Sequence, residues 1–166
     1  MNDKIYTVLI LCTGNSARSI LGEALVNKLG NGYLKGYSAG STPAGKVNPF
    51  AISLLKSKGY DIDDFRSKSW DEFTGPDAPQ IDFVFTVCDN AAGEVCPVWY
   101  GQPMQTHWGI PDPAAVEGSD EEKVSAFEKA YEQMHKRISK FAQLPLDCTD
   151  KDFLKEQLTA IGRAQD

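Results

Sequence analysis

Residues 5–19 read Ile-Tyr-Thr-Val-Leu-Ile-Leu-Cys-Thr-Gly-Asn-Ser-Ala-Arg-Ser, and the reading of this stretch decides the fold. Ile5–Cys12 is a short apolar run rich in β-formers, the pattern of a strand buried on both faces. It breaks at Thr13-Gly14-Asn15-Ser16 and continues as a helix over Ser19–Leu29, where Ile20, Ala24, Leu25 and Leu29 recur at helical spacing. Gly30-Asn31-Gly32 stops that helix. A buried strand that turns through a polar, glycine-bearing loop into a helix is the opening of a βαβ unit, and such units build parallel sheets.

The rest of the chain continues the alternation. Tyr33–Ala39 reads as a second strand. Asn48 caps a helix over Phe50–Lys58, with Pro49 in its first turn. A short helix is expected at Ser69–Phe73, a third strand at Ile81–Val87 and a fourth at Met104–His107. Gly109–Gly118 is a proline-punctuated loop. Ser119 and Asp120 then open a long helix to about Leu144, with an apolar stripe of Val124, Phe127, Tyr131, Met134, Ile138 and Phe141. Pro145 ends it, and Asp150–Ile161 reads as one more amphipathic helix carrying Phe153, Leu154, Leu158 and Ile161. The expectation is a three-layer α/β domain over residues 1–145: about four parallel strands, helices on both faces, ligands beyond the carboxyl ends of the strands. Residues 146–166 form a C-terminal helical extension.

Composition narrows the function. The 166 residues carry 17 basic and 23 acidic side chains, a net charge of −6, which argues against nucleic acid or an anionic membrane as partner. Val8–Cys12 is the longest strongly apolar run, far too short for a membrane span or a signal core, so a cytoplasmic address is expected. Four cysteines in such a chain are not a disulfide framework; they are core residues, metal ligands or working thiols. Cys12, Cys88, Cys96, His107 and His135 show no metal-ligand spacing.

Cys12 and Cys88 fall at the carboxyl ends of expected strands one and three. After Cys12, the loop Thr13-Gly14-Asn15-Ser16-Ala17 leads into a helix N-terminus, a setting in which backbone N–H groups gather around an anion. Gly14 and Asn15 tolerate the positive φ that such a loop requires. Arg18 adds a planar fork for two oxygens of a tetrahedral oxyanion. A thiol facing this set should be ionised at neutral pH, and the Ser19 hydroxyl can add a hydrogen bond to it. No Gly-Lys-Ser/Thr follows, so this is not a nucleotide-binding loop.

Cys12–Ser19 with Glu23-Ala24, Tyr37-Ser38-Ala39-Gly40 and a late Asp-Pro loop resemble the low-molecular-weight protein tyrosine phosphatase superfamily. Phe85-Thr86-Val87-Cys88-Asp89, Cys96-Pro97 and His107–Ala114 extend the resemblance to its arsenate reductase branch, in collinear order over most of residues 5–144. The fold so implied is the phosphotyrosine phosphatase I-like one. The activity implied is conversion of arsenate to arsenite: Cys12 attacks the arsenic, Arg18 clamps the oxyanion and Asp112, held between Pro111 and Pro113, protonates the leaving oxygen. Cys88 then attacks Cys12, and Cys96 carries the disulfide outward to thioredoxin or to glutaredoxin with glutathione. The alternative is a hydrolase of phosphate monoesters, which finishes with water and needs no second thiol.

Two departures matter. The phosphatase branch usually follows its Asp-Pro with a tyrosine, whereas Ala114 and Ala115 stand here and suit a small inorganic oxyanion better. Many members carry a second cysteine in the loop, where this chain has Ala17. Some reductases of the family bind potassium near the loop; Asn15, Glu23, Ser38 and Asp71 stand at candidate positions, each with an ordinary structural role as well. Trp99, Tyr100, Trp108 and Phe73 could edge the site or pack the core rim, and His107 could tune Asp112. Cys148 lies outside the resemblance and reads as incidental.

Overall fold

Tyr6–Leu11 forms strand β1, in which Val8, Leu9 and Ile10 have no solvent exposure at all. Such a strand needs neighbours on both edges and cover on both faces. The computed structural model, which describes residues 5–30, 32–63, 65–75, 77–87, 103–147 and 150–163, supplies them. β1 pairs in parallel with β2 (Leu34–Ala39) on one side and β3 (Phe83–Thr86) on the other, and β3 pairs in parallel with β4 (Met104–His107). The sheet order is β2-β1-β3-β4. All four strands expected from the sequence are present.

The helices follow their caps. α1 (Arg18–Leu29) is buried continuously from Ser19 to Val26, pinned between β2 and the long helix. α2 (Pro49–Ser57) starts where Asn48 Oδ1 accepts the Phe50 N–H at 2.8 Å. α3 (Asp120–Ala142) starts where Ser119 Oγ accepts the Glu122 N–H at 3.2 Å, with Asp120, Glu121 and Glu122 on its positive end. α4 (Lys151–Arg163) closes the described chain. The expected helix at Ser69–Phe73 is a 3-10 turn, Trp70–Phe73, capped by Ser69, and a second 3-10 turn, Pro113–Ala115, interrupts the late loop. Among the described residues no helix is long and apolar enough to cross a membrane.

Alternate residues of β1 feed two cores. Tyr6, Val8 and Ile10 meet α1, α2, α3 and α4, while Leu9 and Leu11 meet Ala39, Phe73, Ile81 and Val84 on the opposite face. The larger core centres on stacked Phe85 and Trp108 rings 3.7 Å apart, with Phe83 and Phe141 edge-on to each other. Trp108 and Phe73 are therefore core residues and do not edge the site. Trp108 Nε1 donates to the Leu158 carbonyl at 2.9 Å, tying α4 to the end of β4. Gly162 permits that contact, because a Cβ there would lie 2.6 Å from the Trp108 ring. Two residues of the expected stripes do not pack: Val124 is 47% exposed and Phe153 40%. Both sit in or near the first turn of their helix, ahead of the residues that reach the core.

Candidate oxyanion site

The crevice at the carboxyl end of the sheet lies where connections diverge: the chain leaves β1 toward β2 and leaves β3 toward β4. Cys12 stands there, 7% exposed, its N–H donating to the Ala39 carbonyl at 3.2 Å. Val87, at the end of β3, donates to the Leu11 carbonyl at 2.9 Å, so the segments leading into Cys12 and Cys88 run side by side up to residue 87. Cys88, Cys96, Cys148, Trp99 and Tyr100 lie outside the described residues.

The loop after Cys12 is held from outside through its carbonyls. Thr13 O accepts from Thr42 N, Gly14 O from Ala44 N and from Ser67 Oγ, and Ser16 O from Asn48 N, at 2.8–3.1 Å. Those carbonyls are engaged by the 42–48 segment and Ser67, so the loop is braced on its carbonyl side. Asn15 adopts φ 45°, the left-handed turn the sequence anticipated. Its amide is fully buried and bonded at both ends: Nδ2 donates to Ser19 Oγ at 2.8 Å, and Oδ1 accepts from Lys68 N at 2.9 Å. Gly40, just past β2, is pressed against this loop so closely that a Cβ would lie 2.4 Å from Thr13 O and 2.8 Å from Cys12 O.

Arg18 opens α1 and turns toward the late loop. Its Nη1 donates to the Ile110 carbonyl at 2.9 Å, and its Nη2 lies 3.6 Å from Asp112 Oδ2. Asp112 also caps the Pro113–Ala115 turn, accepting the Ala114 N–H at 2.9 Å, and remains 40% exposed. The structure thus joins a thiol loop, a guanidinium and a reachable carboxyl at one end of the sheet. Against known families, this chain matches the model described as low molecular weight phosphotyrosine protein phosphatase over residues 7–156. The chain belongs to that family.

Relatives within this phosphatase family are specific in kind. An arsenate reductase of Halalkalibacterium halodurans is 39% identical over 143 residues, covering 86% of this chain and 98% of its own. One from Bacillus subtilis is 35% identical over the same lengths. Among solved structures, an arsenate reductase of Archaeoglobus fulgidus superposes with a TM-score of 0.64 at 26% identity, covering 82% of this chain and 99% of its own.

The four residues considered for potassium do not make an ion site here. Glu23 and Ser38 do meet, Ser38 Oγ donating to Glu23 Oε1 at 2.5 Å, and Lys68 links them to Asn15. Asp71 instead stands exposed on the 3-10 turn. The Lys68 ammonium already lies 3.4 Å from the same Glu23 oxygen, and Asn15 Oδ1 is taken by the Lys68 N–H. These residues do not fit a bound potassium ion.

Two residues of this family member were not singled out by its sequence. Lys68 is 7% exposed; burial pushes its pKa down, and Glu23 pulls it back up. No spacing rule links it to Glu23. Arg137 of α3, also 7% exposed, donates through Nη1 to the Gly109 carbonyl at 2.8 Å. The signal for Arg137 was present, since it interrupts the apolar stripe between Met134 and Ile138. His107 Nδ1 shares a hydrogen bond with Thr86 Oγ1 at 2.8 Å, which ties β4 to β3.

Proposed function

We propose that this chain reduces arsenate to arsenite in the cytoplasm, using Cys12, Arg18, Asp112 and a relay of Cys88 and Cys96. The observation that carries the reading is that relatives named arsenate reductase share 34–39% identity with it over most of both chains. The loop geometry supports it, because a tetrahedral oxyanion needs clustered N–H donors with a fork-shaped cation at their rim.

In the first step the Cys12 thiolate attacks arsenic(V), a sulfur–arsenic bond forms and an arsenic–oxygen bond breaks. Asp112 gives its proton to the departing oxygen, which leaves as water. Ser19, whose oxygen accepts from Asn15, keeps its own proton to donate to the sulfur. Arg18 exchanges the Ile110 carbonyl for oxygens of the adduct. In the second step the Cys88 thiolate attacks Cys12 Sγ. The sulfur–sulfur bond forms, the sulfur–arsenic bond breaks and its electron pair stays on arsenic, which departs as arsenite. Attack of Cys96 on Cys88 frees Cys12 and leaves a disulfide for an external thiol reductant, thioredoxin or glutaredoxin with glutathione. This chemistry belongs to residues 1–145, while α4, in the extension over residues 146–166, braces the end of β4 through Trp108.

The test is arsenate-dependent NADPH consumption with thioredoxin and its reductase, repeated with glutaredoxin and glutathione. Wild type should turn over continuously, and C88S should stop after adduct formation. Hydrolysis of p-nitrophenyl phosphate at equal rates by both proteins, without arsenate turnover, would replace this reading with the hydrolase.

A further inference from the structure

We propose that the Lys68 ammonium is an internal cation that positions the oxyanion loop, so that the loop operates without a monovalent metal ion. The inference rests on the oxyanion-site reading and extends it to a residue that does not touch the substrate.

Residue 68 meets the site at three points. Its N–H donates to Asn15 Oδ1, its carbonyl accepts the Gly40 N–H at 2.9 Å, and its ammonium lies against Glu23. The first contact holds the left-handed turn of the loop, and the second holds the glycine on which the loop rests. The third ties residue 68 to α1, whose first turn carries Arg18 and Ser19. Glu23 in turn accepts from Ser38, two residues before Gly40. The Lys68 side chain therefore fixes where its own backbone sits, and that backbone fixes the loop.

A buried charge survives only with partners, and each of these supplies the other's. The ammonium also donates to the Arg66 carbonyl at 3.2 Å, so its donors are spread over a carboxylate and a peptide oxygen. Glu23 Oε1 and Ser38 Oγ are hard oxygen donors of the kind that bind alkali cations. In this chain the Lys68 ammonium lies 3.4 Å from that Glu23 oxygen. Removing its side chain should leave an acidic hole that a small monovalent cation can enter.

The test reads oxyanion binding without relying on turnover: inorganic phosphate protects Cys12 from iodoacetamide, followed by mass spectrometry of the Cys12 peptide. Potassium chloride is exchanged for choline chloride at constant ionic strength. Wild type should be protected equally in both salts. K68A should need about tenfold more phosphate in choline, a factor corresponding to about 1.4 kcal/mol, and should recover in potassium or methylammonium. K68M, which fills the space without charge, should be weakened and stay so in every salt. Potassium dependence of wild type would overturn the inference, as would unaltered protection in K68A or equal, unrescued loss in K68A and K68M. Should K68A fail to fold, the wild-type salt comparison and K68M against K68R decide, with protection in K68R near wild type expected and protection as weak as in K68M overturning. Absence of protection in wild type would overturn the oxyanion-site reading itself, and this inference with it.

Discussion

Asn15 carries two separable duties, a left-handed backbone and a side chain bonded at both ends. Glycine supplies the first without the second, whereas alanine supplies neither. N15G should lose about 1–3 kcal/mol of stability from the broken buried hydrogen bonds. N15A should lose roughly 1 kcal/mol more, the cost of a left-handed Cβ-bearing residue. Urea titration of both variants checks this; equal losses would show that φ at this position is not a constraint. The same contrast explains what could be read from the sequence here. Cys12 to Ser19 are contiguous, so chain order alone brings thiol, turn and guanidinium together. Lys68 finds Glu23 across 45 residues, and a lysine between two serines looks like any solvated surface residue.

At the level of elements, local signals sufficed wherever an end was marked by a capping side chain: Asn48-Pro49 and Ser119 start their helices where expected. β4 was legible from four residues because the buried inner strand β3 leaves it a place at the sheet edge. Stripe reading failed at Val124 and Phe153, since periodicity says which way a residue points and not whether anything lies there. It also passed over Arg137, where a charge on the buried stripe marked a polar contact. Arg137 and Arg18 grip consecutive carbonyls, Gly109 and Ile110, from α3 and α1. In the proposed mechanism Arg18 turns to the oxyanion, while Arg137 still holds the loop that carries Asp112, the proposed acid. R137A should therefore lower arsenate turnover between about ten- and a hundredfold while KM changes little, because a misplaced acid slows chemistry more than binding. A proportional rise in KM would assign Arg137 to substrate binding instead.

For the whole molecule, Tyr60 contributes to the loss of stability at alkaline pH. Its hydroxyl hydrogen-bonds Tyr131 of α3 at 2.9 Å, joining the segment after α2 to the core helix. Burial, and then that hydroxyl, raise the Tyr60 pKa above its ordinary 10.0. Above pH 10 the unfolded chain gives up this proton while the folded chain retains it, so the contribution is complete below pH 10 and is lost as pH rises through the folded-state value. Thermal unfolding of wild type from about pH 9 to about pH 11 should therefore fall more steeply than that of Y60F. The lowered pKa of Lys68 acts in the opposite direction in both proteins and cancels in their difference. Parallel curves would exclude Tyr60 as the cause.

The outward-facing carbonyls of the Cys12 loop have a consequence for engineering. Residues 42–48 and Ser67 act as a splint from outside, and Gly40 is the only residue type that fits beneath it. Eight residues grafted onto a foreign strand–helix junction would carry the thiol and the arginine but not the brace. Such a graft would stay floppy and bind no oxyanion until the brace was transplanted with it.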